Sequence, residues 1–219
     1  LTWDRRIHLL HYGPRYMKQD MDGLLSMSDE IWEQSILPSL SNFIEIKALS
    51  PLFEPDWDKL GELDATIDLF CEWVERQELD GLTYSVHRIE DRSPVLLITV
   101  EGTGPGEVVF YSHLDKQPSK PELWSEGLGP LSAVRRGPWL FGRGSIDDGY
   151  GGYLCVAALK LLQNSNTPHP KCSFLIETCE ESGSYDLPPY LEALKEDLGE
   201  PDMIVVMDSG GPDYEHIWI

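Results

Sequence analysis

Histidine and carboxylate side chains follow several strand-like segments of this sequence. The apolar run "VVFYS" leads directly into His113, and Asp115 comes two positions later. Further acidic residues follow "GRGSI", "SFLIETC" and "MIVVM"; they are Asp147 with Asp148, Glu180 with Glu181, and Asp208. In open α/β sheets, ligand sites gather beyond the carboxyl ends of the strands. The pattern therefore predicts a site at one edge of a sheet, rich in carboxylates and containing one imidazole.

These residue types are suited to metal-assisted hydrolysis. A catalytic zinc ion takes imidazole nitrogen and carboxylate oxygen ligands and keeps a position for water. Residues i and i+2 of an extended segment project to the same side, so Asp115 is placed to accept the second ring N–H of His113 and fix its tautomer. Adjacent glutamates point in different directions, so one suits metal binding and the other suits a general base. Without a cation, such closely packed carboxylates would repel one another.

The glycine-rich segment "GRGSIDDGYGG" resembles several ligand loops but fits none of them. It lacks the Lys of a phosphate-binding loop, and no G-x-G-x-x-G precedes a long helix with a ribose-binding acid. It also lacks the Glu at position 12 of an EF-hand loop. Glycines that let the chain turn tightly around a carboxylate ligand are the better interpretation.

Bulk composition restricts the possible partners. A chain of 219 residues is long enough for one sizeable core, and its net charge of −21 argues against a nucleic-acid partner. The four cysteines contain no C-x-x-C pair, which is typical of reduced, buried thiols in a cytoplasmic protein. We expect no membrane partner, because no apolar run approaches the ~20 residues of a membrane span. We expect no signal peptide, because the N-terminal residues lack a basic region followed by an apolar one.

Hydrophobic periodicity predicts alternating helices and strands. Ser28 or Asp29 is a candidate cap for a first helix with a kink or restart at Pro38, and apolar spacings of three and four predict a second helix from Trp57 to Val74. Strands are predicted at "LTYSVHRI", "PVLLITVEG", "VVFYSH", "CSFLIET" and "MIVVMDS", a hairpin at "LSAVRRGPWLFGRG", and helices at "YGGYLCVAALKLLQN" and "LPPYLEALKEDL". This order indicates an α/β layered domain with a largely parallel or mixed sheet.

Four segments together resemble the M20 family of zinc metallopeptidases, particularly its carnosinase-like dipeptidase branch. They are "YSHLDKQP", "LFGRGSIDDG", "ETCEESGS" and "PDMIVVMDS", and they occur in the family's order over roughly residues 28–219. The resemblance implies a three-layer α/β/α sandwich with a mixed, mostly parallel sheet. It also implies a two-zinc site, with Mn²⁺ or Co²⁺ as alternatives that these ligands would equally accept.

Carried over position by position, the resemblance implies a role for each residue. His113 and Asp208 correspond to ligands of the first metal, Asp147 to the carboxylate that bridges both metals, and Glu181 to a ligand of the second. Asp115 and Glu180 correspond to the catalytic pair, in which Asp115 orients the imidazole and Glu180 is the general base.

The chain also departs from the family pattern. Many relatives have Lys and Gly where this chain has Gly149 and Tyr150, and Lys116 replaces a residue that is often small and apolar, which suggests a sub-branch. Family members continue into a lid or dimerisation domain and a final metal-binding His. We expect neither His169 nor His216 to replace that ligand. The first metal would keep three protein ligands and the second only Asp147 and Glu181, which predicts one tight site and one weak or empty one.

These features lead to an expected organisation and function. Residues 1–26 are predicted to be a leader or an irregular segment, and residues 27–219 a partial metallopeptidase catalytic domain that stops inside a strand at "EHIWI". The expected activity is hydrolysis of dipeptides or short peptides, weak or absent in this chain alone, with a homodimer possible for a longer form. The alternatives are an amidohydrolase acting on N-acyl amino acids and a non-catalytic fragment that binds metal or a partner chain through its terminal strand.

Overall fold

The computed structural model describes residues 21–208, and the predicted strand at "EHIWI" and His216 lie outside this range. The described part begins with one continuous helical segment, made of α1 (Met21–Ile31), a π-helical turn (Trp32–Ile36) and α2 (Leu37–Glu45). The predicted cap at Ser28 or Asp29 is wrong, because α1 already includes both residues and packs against a later helix. The division of the chain at Met27 stays a prediction.

Pro38 explains the irregular turn in this segment. It lies in the first turn of α2, where its missing N–H removes one helical hydrogen bond and its ring would press on the carbonyl four residues before it. The preceding turn is wider than an α-helical one, and the N–H of Leu37 bonds to the carbonyl of Trp32, five residues back. The helix therefore continues past the proline through a π-helical turn, at the place where the sequence predicts a kink or restart.

The second predicted helix is two helices in the structure. A short α3 (Trp57–Leu60) ends at Gly61, which has a left-handed φ of +68°, and α4 (Glu62–Glu75) follows directly. The apolar spacing runs through this break because it records only residue type, whereas the break depends on the backbone of one glycine. None of the α3 side chains is buried, and Leu60 is 51% exposed. Within α4, Leu63, Ile67, Phe70 and Val74 are all buried.

Strands and further helices follow in the predicted order. They are β1 (Leu82–His87), β2 (Val95–Val100), β3 (Glu107–His113), the hairpin β4 (Val134–Arg136) and β5 (Trp139–Phe141), α5 (Gly151–Asn164), β6 (Lys171–Glu177), α6 (Leu187–Ala193), α7 (Lys195–Leu198) and β7 (Met203–Val206). Short 3₁₀ turns cover Pro121–Leu123 and Glu180–Ser182. The predicted helix "LPPYLEALKEDL" is interrupted at Leu194, between α6 and α7.

Among the described residues, five strands form the main sheet in the order β1-β2-β6-β3-β7. The pair β3 and β6 and the pair β3 and β7 are parallel, whereas β2 is antiparallel to both of its neighbours. Because β2 alone is reversed, four of the five strands run in one direction. The sheet is mixed and mostly parallel, as expected.

Helices cover both faces of this sheet. Alternate residues of β2 and β6 point to opposite faces. On one face, Leu96, Ile98 and Phe174 pack with residues of α2, α4 and α5 in the larger core cluster. On the other face, Val95, Leu97 and Leu175 pack with Tyr190 of α6 and with Leu194. The continuous apolar runs of the central strands therefore fill two cores, which confirms the three-layer α/β/α architecture.

Two further expectations concern the interior and the surface. All four cysteines lie within the described residues, and all are buried and free of disulfide bonds, as the sequence predicts. None of the helices between residues 21 and 208 combines the length and the hydropathy that a bilayer-spanning segment needs.

Candidate metal centre

Three neighbouring parallel strands end at the same edge of the sheet and carry His113, the glutamate pair and Asp208 there. Asp147 and Asp148 were expected at a strand end too, but they lie in the loop between β5 and α5, which reaches the same edge. His113 is the last residue of β3, and it pairs in register with Glu177, the last residue of β6. The chain after β6 turns within a few residues into the 3₁₀ turn Glu180–Ser182, and the chain after β7 reaches Asp208 two residues beyond the strand. This shared edge is the reason that residues distant in sequence meet.

His113 is fully buried, and its two ring nitrogens have different surroundings. Nδ1 lies 3.1 Å from the backbone carbonyl oxygen of Asp115. Since a carbonyl oxygen only accepts, Nδ1 carries a hydrogen. Nε2 has no hydrogen-bond partner, although it is buried. It faces carboxylate oxygens of Asp147, Glu180 and Asp208 at 3.4, 3.8 and 3.9 Å respectively.

The potential ligand atoms form two overlapping groups around this nitrogen. One group contains His113, Asp147 and Asp208, and the other contains His113, Glu180 and Glu181; within each group the ligand atoms all lie within 4.8 Å of one another. A buried Nε2 with no hydrogen-bond partner, surrounded by carboxylate oxygens, fits the nitrogen and oxygen ligand set of Zn²⁺, Mn²⁺ or Co²⁺. The structure thus brings together every residue that the sequence proposed as a metal ligand.

The pKa values reflect the crowding of negative charge. Burial disfavours protonation of His113, but Asp115 and Asp147 outweigh it and raise the pKa to about 11. His113 in turn lowers the pKa of Asp147, assisted by Arg143. Burial raises the pKa of Glu180, and it raises the pKa of Glu181 to about 7. A site with these shifts attracts a positive charge, either a proton on the imidazole or a metal cation.

Asp115 has a second role that the sequence did not indicate. Its carboxylate is fully buried and accepts the backbone N–H groups of Glu180 and Glu181, at 3.1 and 3.0 Å. Its Oδ1 lies 3.4 Å from Nδ1 of His113, farther than its own carbonyl oxygen. Asp115 therefore lies next to the imidazole as expected, and it also holds the turn that carries both glutamates.

Asp148 is the buried neighbour of the half-buried Asp147. Its Oδ2 accepts the backbone N–H of His113 at 3.3 Å, while its Oδ1 is buried without a hydrogen-bond partner. Burial raises the pKa of Asp148 to about 7. The peptide bond that joins Asp147 to Asp148 is cis. The "DD" motif was the signal for this residue, but two adjacent letters do not show which carboxylate faces the site.

Three more side chains at the site were not identified from the sequence. The Gln117 amide donates to Oε2 of Glu181 at 2.5 Å, and the other oxygen of Glu181 is buried and unpaired. A guanidinium nitrogen of Arg143 lies 3.9 Å from Oδ2 of Asp147. Glu177 accepts hydrogen bonds from Tyr111 and from a serine that follows the 3₁₀ turn. Gln117, Arg143 and Glu177 all stand inside the motifs "HLDKQP", "GRGSIDDG" and "ETCEES", so position within a motif was the available signal.

The structure also shows where His169 lies. Its ring is buried, with Nδ1 2.8 Å from the carbonyl oxygen of Pro170 and Nε2 3.1 Å from the Gln163 amide nitrogen. These contacts belong to the loop that precedes β6, at the strand's opposite end from the candidate metal centre. His169 is a structural residue, as expected.

An α/β/α sandwich with a histidine and carboxylates gathered beyond its strand ends defines a class of protein with a candidate hydrolytic metal centre. Residues 109–219, just over half of the chain, match the model of peptidase family M20/M25/M40. The chain belongs to this family, which confirms the resemblance noted in its motifs. A search of curated protein sequences gave no significant match.

Solved structures of the family share the fold. Human carnosine dipeptidase 1 matches with 22% identity and a TM-score of 0.68, over 86% of this chain and 41% of that one. The M20 family metallo-carboxypeptidase Sso-CP2 from Sulfolobus solfataricus matches with 22% identity and a TM-score of 0.70, over 84% and 39%. The dipeptidase Dug1p from Saccharomyces cerevisiae matches with 19% identity and a TM-score of 0.68, over 87% and 41%. The matched region is thus about two fifths of the length of these structures.

Proposed function

We propose that this chain is the metal-binding part of a peptidase that hydrolyses dipeptides or short peptides with a metal-activated water. The observation that carries the proposal is the buried Nε2 of His113, which has no hydrogen-bond partner and faces three carboxylates within 4 Å. A buried polar atom left without a partner costs about 1–3 kcal/mol, so such an atom in a functional site indicates a missing ligand. Membership of a peptidase family supports the same conclusion.

The ligands divide between two adjoining positions. His113, Asp147 and Asp208 would hold one cation, which is the three-ligand set of a catalytic metal. Asp147 and Glu181 would contribute to a second position with fewer ligands. A bound Zn²⁺, Mn²⁺ or Co²⁺ ion would supply a Lewis acid for the substrate carbonyl and a lowered pKa for the attacking water. We expect one tight and one weak metal position in this chain.

Glu180 is the residue that fits the general base. Its side chain is 30% exposed, so it is within reach of water and substrate, and Oε2 lies 3.8 Å from Nε2 of His113. Burial raises its pKa, which brings its basicity closer to what proton transfer at neutral pH requires. The carboxylate of Asp115 accepts a hydrogen bond from the backbone N–H of Glu180. Glu180 would take the proton of the attacking water and deliver it to the leaving amine.

The test combines metal binding with hydrolysis. Metal binding to the chain is measured by calorimetry, and hydrolysis of a dipeptide panel is measured with Zn²⁺ or Mn²⁺ added. Glu180→Gln should lower the hydrolysis rate by about 10²–10⁴-fold while metal affinity is retained. The matched control is Glu192→Gln, on the exposed surface of α6, which should change neither quantity.

Each other outcome decides part of the proposal. Full activity in Glu180→Gln would remove its role as the base. Metal binding without hydrolysis of any substrate would leave the metal site and favour the alternative of a non-catalytic, metal-binding fragment. Absence of metal binding would contradict the whole proposal. Preferential hydrolysis of N-acyl amino acids, included in the same panel, would assign the chain to amidohydrolases instead.

A partner-binding function is favoured by one specific observation. Within the described residues, β7 pairs with β3 alone, and its side chains Met203, Ile204 and Val206 are 58%, 63% and 52% exposed. An open edge with apolar side chains favours pairing with another strand. Light scattering of the chain with and without Ile204→Lys tests this function, and a wild-type chain that stays monomeric at high concentration would exclude self-pairing.

A further inference from the structure

Lys116 is a buried lysine next to the candidate metal centre that the proposed reaction does not use. Its side chain is 0% exposed. Its ammonium donates to the carbonyl oxygens of Phe43, Ile44 and Ile46 at 2.7, 3.3 and 2.5 Å, and it lies 4.1 Å above the centre of the Phe43 ring. These three carbonyls are at the C-terminal end of α2, where the carbonyls lack the usual helical partner four residues on. The Phe43 carbonyl also accepts the backbone N–H of Ile46 at 3.2 Å.

The match between donors and acceptors explains why a lysine is present here. An ammonium has three N–H groups, which equals the number of carbonyl acceptors. The helix dipole also favours a cation at this end of α2. Burial lowers the pKa of Lys116 to about 7, so holding a cation in this position costs free energy that the three carbonyls and the aromatic ring must offset. A small apolar residue could not make any of these contacts.

The backbone of Lys116 connects the same region to the segment that follows α2. Its N–H donates to the carbonyl of Ala48, and its carbonyl accepts the N–H of Ser50, at 2.9 and 3.0 Å. The hydroxyl of Ser50 lies 2.6 Å from that of Ser182, the last residue of the turn that carries Glu180. Lys116 thus links the His113 segment, the end of α2 and the turn with the glutamates.

The loop with the two aspartates packs on the same lysine. A Cβ atom added to Gly144 would come within 2.8 Å of Cε of Lys116 and of an edge carbon of Phe43. A Cβ added to Gly149 would meet Phe43 at 2.4 Å. The loop from Gly142 to Gly149, which carries Asp147, therefore rests directly on the lysine stem and on the ring beneath its ammonium.

We propose that Lys116 is a positioning residue of the candidate metal centre, which fixes the three ligand-bearing segments relative to one another by anchoring them to the C-terminal end of α2. The expected effect on metal affinity rests on the proposed function. The anchoring itself rests only on the contacts described above. The hydrogen bonds and the ring contact of the Lys116 side chain are with the end of α2 and not with a proposed ligand. Lys116 acts through backbone hydrogen bonds and through the packing of the loop from Gly142 to Gly149.

The experiment compares Lys116→Met, which keeps the stem and removes the ammonium, with Lys116→Gln, which keeps a shorter donor. The first readout is hydrogen exchange of the amides of Ser50, Lys116 or its replacement, and Gly149, which needs no metal. Loss of the anchoring contacts should speed exchange at these amides by about 10-fold more than at Ile98 in the central sheet. The second readout is metal affinity, expected to fall by about 10–100-fold in Lys116→Met and less in Lys116→Gln.

The matched control is Leu194→Ala, which opens the core on the opposite face of the sheet. It should lower stability without selective exchange at Gly149 and with metal affinity within about 3-fold of the wild type. Exchange at Ser50 and Gly149 that rises no more than at Ile98 would overturn the proposal, because Lys116 would then contribute only to global stability. If the wild-type chain binds no metal, the proposed function fails, and the exchange data still decide the role of Lys116.

Discussion

The carboxylate of Asp115 accepts the backbone N–H of Glu180 across 65 positions of sequence, with an N···O distance of 3.1 Å. The other carboxylate oxygen accepts the N–H of Glu181 in the same way. Asp115 therefore connects the end of β3 to the turn after β6. This one residue fixes the position of the imidazole relative to the two glutamates of the candidate metal centre. This connection leads directly to a first prediction.

Asp115→Asn should weaken both the fold and the metal site. An asparagine side chain has one acceptor oxygen, so one of the two N–H groups of Glu180 and Glu181 would lose its acceptor and face an NH₂ group. We expect the free energy of unfolding to fall by about 1–3 kcal/mol. Metal affinity, measured by calorimetry, should fall by about 10–100-fold.

The matched control for this variant is Asp202→Asn. Asp202 also accepts a backbone N–H, that of Glu107, but at the opposite end of β3. Asp202→Asn should leave metal affinity unchanged. Wild-type metal affinity in Asp115→Asn would show that the turn carrying Glu180 and Glu181 is held by other contacts.

Metal binding at pH 7 should release more than one proton. In the metal-free chain the pKa of His113 is about 11 and that of Glu181 about 7, so the imidazole holds its proton at pH 7 and Glu181 is about half protonated. A metal ligand must be deprotonated, so proton competition weakens as pH rises and the apparent affinity should increase from pH 6 to 8. Calorimetry in buffers with different ionisation enthalpies measures the proton count.

Glu181→Gln provides the internal comparison for proton release. This variant removes one titrating group, so fewer protons should be released on metal binding. The proton of His113 should still be released. An affinity that does not change with pH, together with a binding heat that does not depend on the buffer, would contradict the raised pKa of His113.

Gly149→Ala should destabilise the loop that carries Asp147. The added Cβ would lie 2.2 Å from the carbonyl oxygen of Gly144 and 2.4 Å from Phe43. Backbone atoms cannot move aside as a flexible side chain can, so we expect a loss of about 1–3 kcal/mol in unfolding free energy and weaker metal binding. Chemical denaturation measures the first quantity. Gly129→Ala is the control, because its nearest contact would be an ordinary 3.9 Å, and equal effects of the two variants would refute the packing argument.

Asp186→Asn should separate fold stability from the metal site. Asp186 is buried at the start of α6, where it accepts an N–H of Arg92 at 2.9 Å and both the N–H and the hydroxyl of Ser93. The neutral amide of this variant would lose the charge-assisted bond from Arg92, and its NH₂ group would face one of the N–H or O–H donors. We expect the free energy of unfolding to fall by about 1.5–3 kcal/mol. Metal affinity should stay within about 3-fold of the wild type, because the side-chain hydrogen bonds of Asp186 go to Arg92 and Ser93 and not to a proposed ligand. A large loss of affinity would show that α6 and the candidate metal centre are coupled.

Several parts of the fold were predictable because their signals are local. Apolar runs bounded by glycine and polar residues indicated β2, β3 and β6, and the "RRGP" turn indicated the hairpin of β4 and β5. The break at Gly61 and the helical residues of α1 before Ser28 were missed for a common reason. A hydrophobic spacing of three and four records the type of each residue, whereas a left-handed glycine or the packing of α1 against α5 acts on the backbone without changing that spacing.

The ligand candidates were predictable for a different reason. His113, Asp147, Glu181 and Asp208 each stand in a recognisable motif. Parallel strands must end at a common edge, which accounts for His113, Glu181 and Asp208 but not for Asp147, which lies in the loop before α5. Asp148, Gln117 and Lys116 stand in the same motifs, but their partners are up to 73 positions away in sequence. Nothing in the neighbouring letters shows which of two adjacent aspartates faces inward, or that a lysine binds the end of an earlier helix.

The sequence by itself determined the α/β class, the order of the elements and the identity of the residues able to bind a metal, because each depends on residue type and short spacing. Tertiary structure alone decided how those residues are held. The contacts that hold them join distant segments of the chain. Asp115 accepts two bonds from the glutamate turn, Asp148 accepts one from the backbone of His113, and Lys116 is anchored on α2. Such contacts depend on the close packing of segments around two cores, which local propensity does not specify.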